Sequence, residues 1–184
     1  MMLLMDRALK TFFILPFLLG SAALASAETP SLYESLSRKS EVKITVATTT
    51  DISEKKELDP AVLKDAIEKA LTARKSIHFK VVPADAAELA IDTEVKGFHF
   101  SETDPVDMLV GVGGTAMDAA TIDHFAASEA TFTVRDVKAG TTLWKDTLRA
   151  SVTHHTMTEA ESRQKVSERL AEMLMRAAFG KKKK

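Results

Sequence analysis

The stretch that decides the fold covers residues 129–152 and reads EATFTVRDVKAGTTLWKDTLRASV. Apolar and polar residues alternate on both sides of a turn that ends at Gly140, which is typical of two half-buried strands joined by a short loop. The pattern predicts an antiparallel hairpin anchored in the core by Trp144, the only tryptophan. Its inner face is expected to carry Ala130, Phe132, Val134, Trp144, Leu148, Ala150 and Val152, with Glu129, Thr131, Thr133 and Arg135 facing water.

The residues before the hairpin predict a β-α-β unit and a third strand. Residues 42–48 alternate and are rich in β-branched side chains, as a half-buried strand requires. Asp59 and Pro60 are an N-cap followed by a proline at the first helical position, so a helix begins there. Alternation returns over residues 77–81, close enough to predict that this strand runs parallel to the first. A third strand follows from residue 89, with Phe98 to Phe100 at its end.

A second long helix is predicted after the hairpin. Thr158 and Glu161 have the spacing of a capping box, and Gly180 is expected to end the helix. The buried stripe of this helix is predicted to contain Val166, Leu170, Met173, Leu174 and Ala177. The order β-α-β-β-β-β-α indicates an α+β fold, with a mixed sheet of four to five strands and two helices packed on one face. We assign residues 42–180 to a single domain, residues 28–41 to a flexible N-terminal segment and residues 181–184 to a basic tail.

The first 27 residues have the three parts of a secretory signal peptide. Arg7 and Lys10 precede an apolar run over residues 11–24, and Ala25 and Ala27 supply small residues at positions −3 and −1. We expect cleavage after Ala27 and release into the periplasm, with an uncleaved anchor as the alternative. The chain contains no cysteine, so it has no lipobox that could carry a lipid anchor.

The composition excludes several classes of protein. The chain of 184 residues has 25 Lys and Arg against 26 Asp and Glu, and 45% of its residues are hydrophobic. This balance gives no broad basic field for nucleic acid, and a chain without cysteine cannot be a disulfide scaffold. Lys181 to Lys184 read as a solvated tail, and weak contact with anionic lipid head groups is the alternative.

Two features could bind a ligand. Gly111, Gly113 and Gly114 follow an apolar run and superficially resemble a phosphate-binding turn, although the Lys and Ser/Thr of a P-loop are missing. His154 and His155 are neighbours at a strand end, where their side chains point to opposite faces and cannot both reach one metal without a kink. We therefore predict no metal site, no cofactor and no catalytic centre, and we keep these five residues as candidates for binding.

The hairpin carries a family resemblance. Asp136, Gly140, Leu143 and Trp144 match a recurring Asp-x-x-x-Gly-x-x-Leu-Trp hairpin. With the leader, the β-α-β start and the terminal helix, the chain resembles small bacterial envelope proteins related to the TolB amino-terminal domain and the curli-secretion lipoprotein. The resemblance covers about residues 42–178 and implies a non-enzymatic adaptor or accessory role in the envelope.

Three hypotheses about function follow from the sequence. The first is a periplasmic accessory protein that acts by contact with another envelope protein. The second is a small-ligand or metal-binding protein that uses the loop of residues 111–114 with His154 or His155. The third is an enzyme, for which the sequence offers no recognisable catalytic arrangement. The oligomeric state and the partner's identity stay open.

Overall fold

The structure is a computed structural model, and it describes residues 31–55, 58–101, 124–154 and 156–181. Several residues singled out in the sequence lie outside these ranges. They are the leader with Ala25 and Ala27, the glycines at 111, 113 and 114, His155, and Lys182 to Lys184.

Five strands and three α-helices make up the described chain. The strands are β1 (Val42–Asp51), β2 (Phe79–Val81), β3 (Leu89–Ser101), β4 (His124–Asp136) and β5 (Thr142–His154). The helices are α1 (Tyr33–Leu36), α2 (Pro60–Thr72) and α3 (Glu159–Ala177), and a short 3-10 turn covers Ala84–Ala86. The predicted order of the major elements is confirmed.

The strands form one mixed sheet in the order β2-β1-β3-β4-β5. β1 is parallel to β2 and to β3, whereas β3, β4 and β5 are antiparallel neighbours. The predicted parallel pairing of the first two strands is therefore confirmed. A mixed sheet with helices packed on it is an α+β fold, as the sequence indicated.

Helices α2 and α3 lie side by side and cover one face of the sheet. Asp59 caps α2 by accepting a hydrogen bond from the Ala61 N–H, and Thr158 and Glu161 form the predicted capping box at the start of α3. Most of the predicted stripe of α3 is buried, while Met173 and Ala177 are half-buried. α1 packs on the same core through Leu36.

The hairpin of β4 and β5 follows the predicted alternation, with one exception. Phe132, Val134 and Trp144 are almost fully buried, and Val152 is half-buried. Thr131 lies on the predicted face, but the expectation that it faces water is wrong, because it is 6% exposed. Its hydroxyl lies 2.8 Å from that of Thr147 on β5, so a cross-strand hydrogen bond satisfies the buried group.

The turn between β4 and β5 depends on one glycine and one aspartate. The Asp136 carboxylate accepts a hydrogen bond from the Ala139 N–H (2.8 Å), and the Gly140 N–H donates to the Asp136 carbonyl (2.9 Å). Gly140 has φ +65°, in the left-handed region that glycine adopts without steric cost. Asp136 and Gly140, which carry the family resemblance, therefore form the turn, while Trp144 fills the core.

We expect Gly140→Ala to lower the free energy of unfolding by about 1–2 kcal/mol, because a Cβ disfavours the left-handed conformation. A Cβ at Gly140 would meet no atom within 4 Å, so the loss comes from the backbone alone. Urea denaturation measures it. Gly97→Ala is the matched control, because Gly97 has equal space and no positive φ. An equal loss in both variants would contradict this account.

The end of α3 is fixed by two other parts of the chain. The Arg74 guanidinium donates to the carbonyls of Met175 (3.0 Å) and Phe179 (2.6 Å), which would otherwise lack partners at the helix C-terminus. Burial lowers the pKa of Arg74. The Ser31 hydroxyl and the Leu32 N–H donate to the Ala178 carbonyl at 3.2 and 2.8 Å. The segment before β1 is thereby attached to the C-terminal corner.

Candidate interaction site at the edge of the sheet

Of the two histidine candidates, only His154 lies within the described residues. His154 is exposed at the end of β5, and its backbone pairs with that of His124 on β4. His124 stacks on Phe100 with ring centroids 5.9 Å apart. The sequence did not reveal this pairing of His154 with His124, because it depends on the register between two strands. No group of three or more His, Cys, Asp or Glu side chains in the described ranges is placed to hold a metal ion.

A groove separates α2 from α3 on the surface of the helical layer. It has a volume of about 870 Å³, and its lining includes both basic and acidic side chains, namely Lys69, Arg74, Arg176, Glu168 and Glu172. Arg74 is committed to the end of α3, as described above. The remaining charges are of mixed sign and the groove is open, so its geometry selects no particular ligand.

The two edges of the sheet differ strongly. One edge consists of the three residues of β2 and then of the second half of β1, where a bulge between Val46 and Thr48 shifts the register. Short edge strands and bulges are common devices that prevent unwanted strand pairing. The other edge is β5, with 13 residues and a length of about 40 Å.

β5 pairs with β4 on one side, and no other strand of the described ranges pairs with its outer side. β5 contains no proline, and its single register shift lies near its start, between Val134 and Arg135 of the partner strand. The outer side of a strand presents N–H and C=O groups that can pair with an added strand. Among the residues that the structure describes, this edge is therefore a long main-chain surface with which no strand is paired.

Basic side chains flank this edge on the sheet face that is not covered by α2 and α3. Lys145 is exposed and has no ion-pair partner among the described residues, and the Arg149 side chain is 84% exposed. Arg149 forms an ion pair with Glu129 on β4, and that hydrogen bond holds the pKa of the Glu129 carboxyl below its ordinary value. Lys96 on β3 shares the same carboxylate at 3.7 Å. The Glu129 carboxylate is thus shared by two basic side chains, Arg149 and Lys96.

Asp146 is the only acidic residue of β5. Its carboxylate accepts a hydrogen bond from the N–H of the next residue, Thr147, at 2.8 Å. The Thr147 hydroxyl is hydrogen-bonded to the hydroxyl of Thr131 on β4. The N–H and the hydroxyl of Thr147 therefore both have partners within the sheet. An incoming strand that bonds to the Thr147 N–H has to displace Asp146.

Comparisons with known proteins give distant similarities. No protein-family model matches the chain, and no curated protein matches it. The TolB-related assignment accordingly stays a prediction.

Solved structures resemble the chain at low sequence identity. The PelC dodecamer from Paraburkholderia phytofirmans has 14% identity and a TM-score of 0.48, covering 83% of this chain and 94% of that one. A protein from Xanthomonas campestris has 10% identity and a TM-score of 0.49, covering 73% and 82%. A minor lipoprotein from Acinetobacter baumannii has 14% identity and a TM-score of 0.42, covering 73% and 89%.

None of the helices in the described part of the chain is both long enough and apolar enough to cross a membrane.

Proposed function

We propose that this protein is a non-enzymatic accessory protein of the bacterial envelope that acts by contact with another protein. The observation that carries the proposal is the outer side of β5, which is 13 residues long and lacks a paired strand among the described residues. Strand addition to such an edge is an established mode of protein recognition, in which main-chain hydrogen bonds supply affinity. The signal-peptide pattern of residues 1–27 supports an envelope location.

The structure does not add a specific observation in favour of ligand binding. Within the described ranges, His154 belongs to no group of three or more metal-binding side chains, and the glycine loop lies outside the described residues. The proposed contact with another protein therefore rests on the sheet edge, and the envelope location rests on the signal-peptide pattern.

Site-specific photocrosslinking in intact cells tests the proposal. A photoreactive residue replaces Ser151 on β5 in one strain and Thr72 on α2 in another, and both positions are exposed. We expect a covalent adduct with a second protein from position 151 and none from position 72. Failure of position 151 to form an adduct, or equal adducts from both positions, would contradict the proposed contact.

A further inference from the structure

We infer that the partner contributes an extended acidic segment, which adds to the sheet along β5. This inference rests on the proposed function, since it names the chemistry of the partner at the same edge. Lys145 and Arg149 lie on one face of β5, four residues apart, and flank Thr147. In a paired strand, the side chains directly opposite lie about 4.5–5.5 Å apart, close enough for opposite charges to attract.

The required sequence pattern follows from this spacing. A strand paired with β5 places residues opposite Lys145, Thr147 and Arg149 on the uncovered face of the sheet. The matching order is acidic, hydroxyl, acidic at every second position, and it reads the same in parallel and antiparallel orientation. On the other face, Leu148 and Ala150 are 8% and 4% exposed, so the partner residues opposite these two are apolar, whereas Asp146 on the same face is exposed.

A second copy of this chain, paired through its own β5, is a less favourable partner for this edge than an acidic segment. An antiparallel self-pairing centred on Thr147 places Lys145 opposite Arg149, and one centred on Arg149 places that residue opposite itself. Like charges directly opposite each other are destabilising. A self-pairing centred on Leu148 places Lys145 opposite Ser151 and Arg149 opposite Thr147, so the added strand brings no acidic group to either basic side chain and Arg149 keeps only its partner Glu129. An acidic segment compensates both.

The test uses a blocked peptide, Thr-Val-Glu-Val-Thr-Val-Glu-Val-Thr, titrated into the purified protein. Two further peptides replace both Glu by Thr or by Lys. We expect the acidic peptide to bind about twofold to thirtyfold more tightly than the neutral one, as expected for two favourable cross-strand charge pairs. Amide hydrogen exchange is expected to slow at residues 145–151 and to stay unchanged in β2.

Charge-reversal variants make the test specific. The double variant Lys145→Glu/Arg149→Glu is expected to lose the preference for the acidic peptide and to prefer the lysine peptide. The control Lys43→Glu/Lys80→Glu changes the net charge equally, at exposed positions near the opposite edge of the same sheet, and is expected to keep the original preference. Asp146→Ala frees the Thr147 N–H and removes the acidic group of β5, so it is expected to tighten binding severalfold.

The possible outcomes distinguish the acidic chemistry of the partner from the proposed addition of a strand to β5. Slowed exchange in β5 with all three peptides alike would overturn the acidic partner and leave the proposed strand addition standing. Binding of no peptide to β5 would overturn the acidic partner, and if position 151 also forms no crosslink, the proposed function fails with it. Sedimentation that shows a dimer through β5, with no binding of the acidic peptide, would identify a second copy as the occupant and overturn the inference.

Discussion

Trp144→Ala is expected to lower the free energy of unfolding by about 3–5 kcal/mol, as is usual when a buried aromatic side chain is truncated to alanine. Trp144 is 2% exposed, belongs to the hydrophobic core and pairs with Val134 on β4. Because a typical domain is stable by only about 5–15 kcal/mol, this single change removes a large share of the total.

Circular dichroism during urea denaturation measures the loss, because Trp144 is the only tryptophan and the variant has no tryptophan fluorescence. Trp144→Phe keeps an aromatic ring and is expected to lose less than the alanine variant. Thr142→Ala, at an exposed position of the same strand, is expected to change the stability by no more than about 0.5 kcal/mol. A loss below about 1 kcal/mol in Trp144→Ala would show that the hairpin is not anchored in the core as described.

The hairpin shows what a local pattern can predict. Alternation over residues 129–152, together with Gly140, determined which side chains point inwards, because successive residues of a strand face opposite sides. The capping box at Thr158 and the N-cap at Asp59 were predictable for the same reason, since each involves residues only two to three positions apart. These features depend on neighbours in the sequence.

Features that depend on contacts between distant residues could not be predicted in this way. Arg135 forms an ion pair with Asp92 at 2.7 Å, across two strands separated by more than 40 residues. The burial of Thr131 depends on a hydroxyl partner in the next strand, and the pairing of His124 with His154 depends on the register. The spatial order of the strands, which leaves β5 at an edge, is likewise a property of the assembled sheet.

The candidate site was missed in the sequence for the same physical reason. Lys145 and Arg149 are ordinary polar residues of an alternating strand, and their position matters only because no strand of the described ranges pairs with the outer side of β5. The glycine loop and the adjacent histidines were candidate binding residues because glycine-rich turns can bind phosphate and histidines can bind metals. The candidate site in the described structure is instead the outer edge of β5. Its binding groups are main-chain N–H and C=O groups, which every sequence has, so no residue type indicates it.

Phe179→Ala is the second change expected to have a large effect, with a loss of about 3–5 kcal/mol in the free energy of unfolding. Phe179 follows the end of α3 and is fully buried, with its ring centroid 5.0 Å from that of Phe79 on β2 in an edge-to-face arrangement. Its carbonyl accepts a hydrogen bond from Arg74. Phe179 thus joins the end of α3 to β2 through its side chain, and to the segment after α2 through its backbone carbonyl.

Tryptophan fluorescence during urea denaturation measures this loss, because Trp144 is retained. Lys181→Ala is the control, two residues further along at an exposed position, and it is expected to change the stability by no more than about 0.5 kcal/mol. Because Leu32 and Ser31 hydrogen-bond to the carbonyls of residues 178 and 180, we also expect faster exchange of the Leu32 amide in Phe179→Ala. If the stability falls while the Leu32 amide stays fully protected under native conditions, α1 is held independently of Phe179, and the proposed coupling of the N-terminal segment to this corner is wrong.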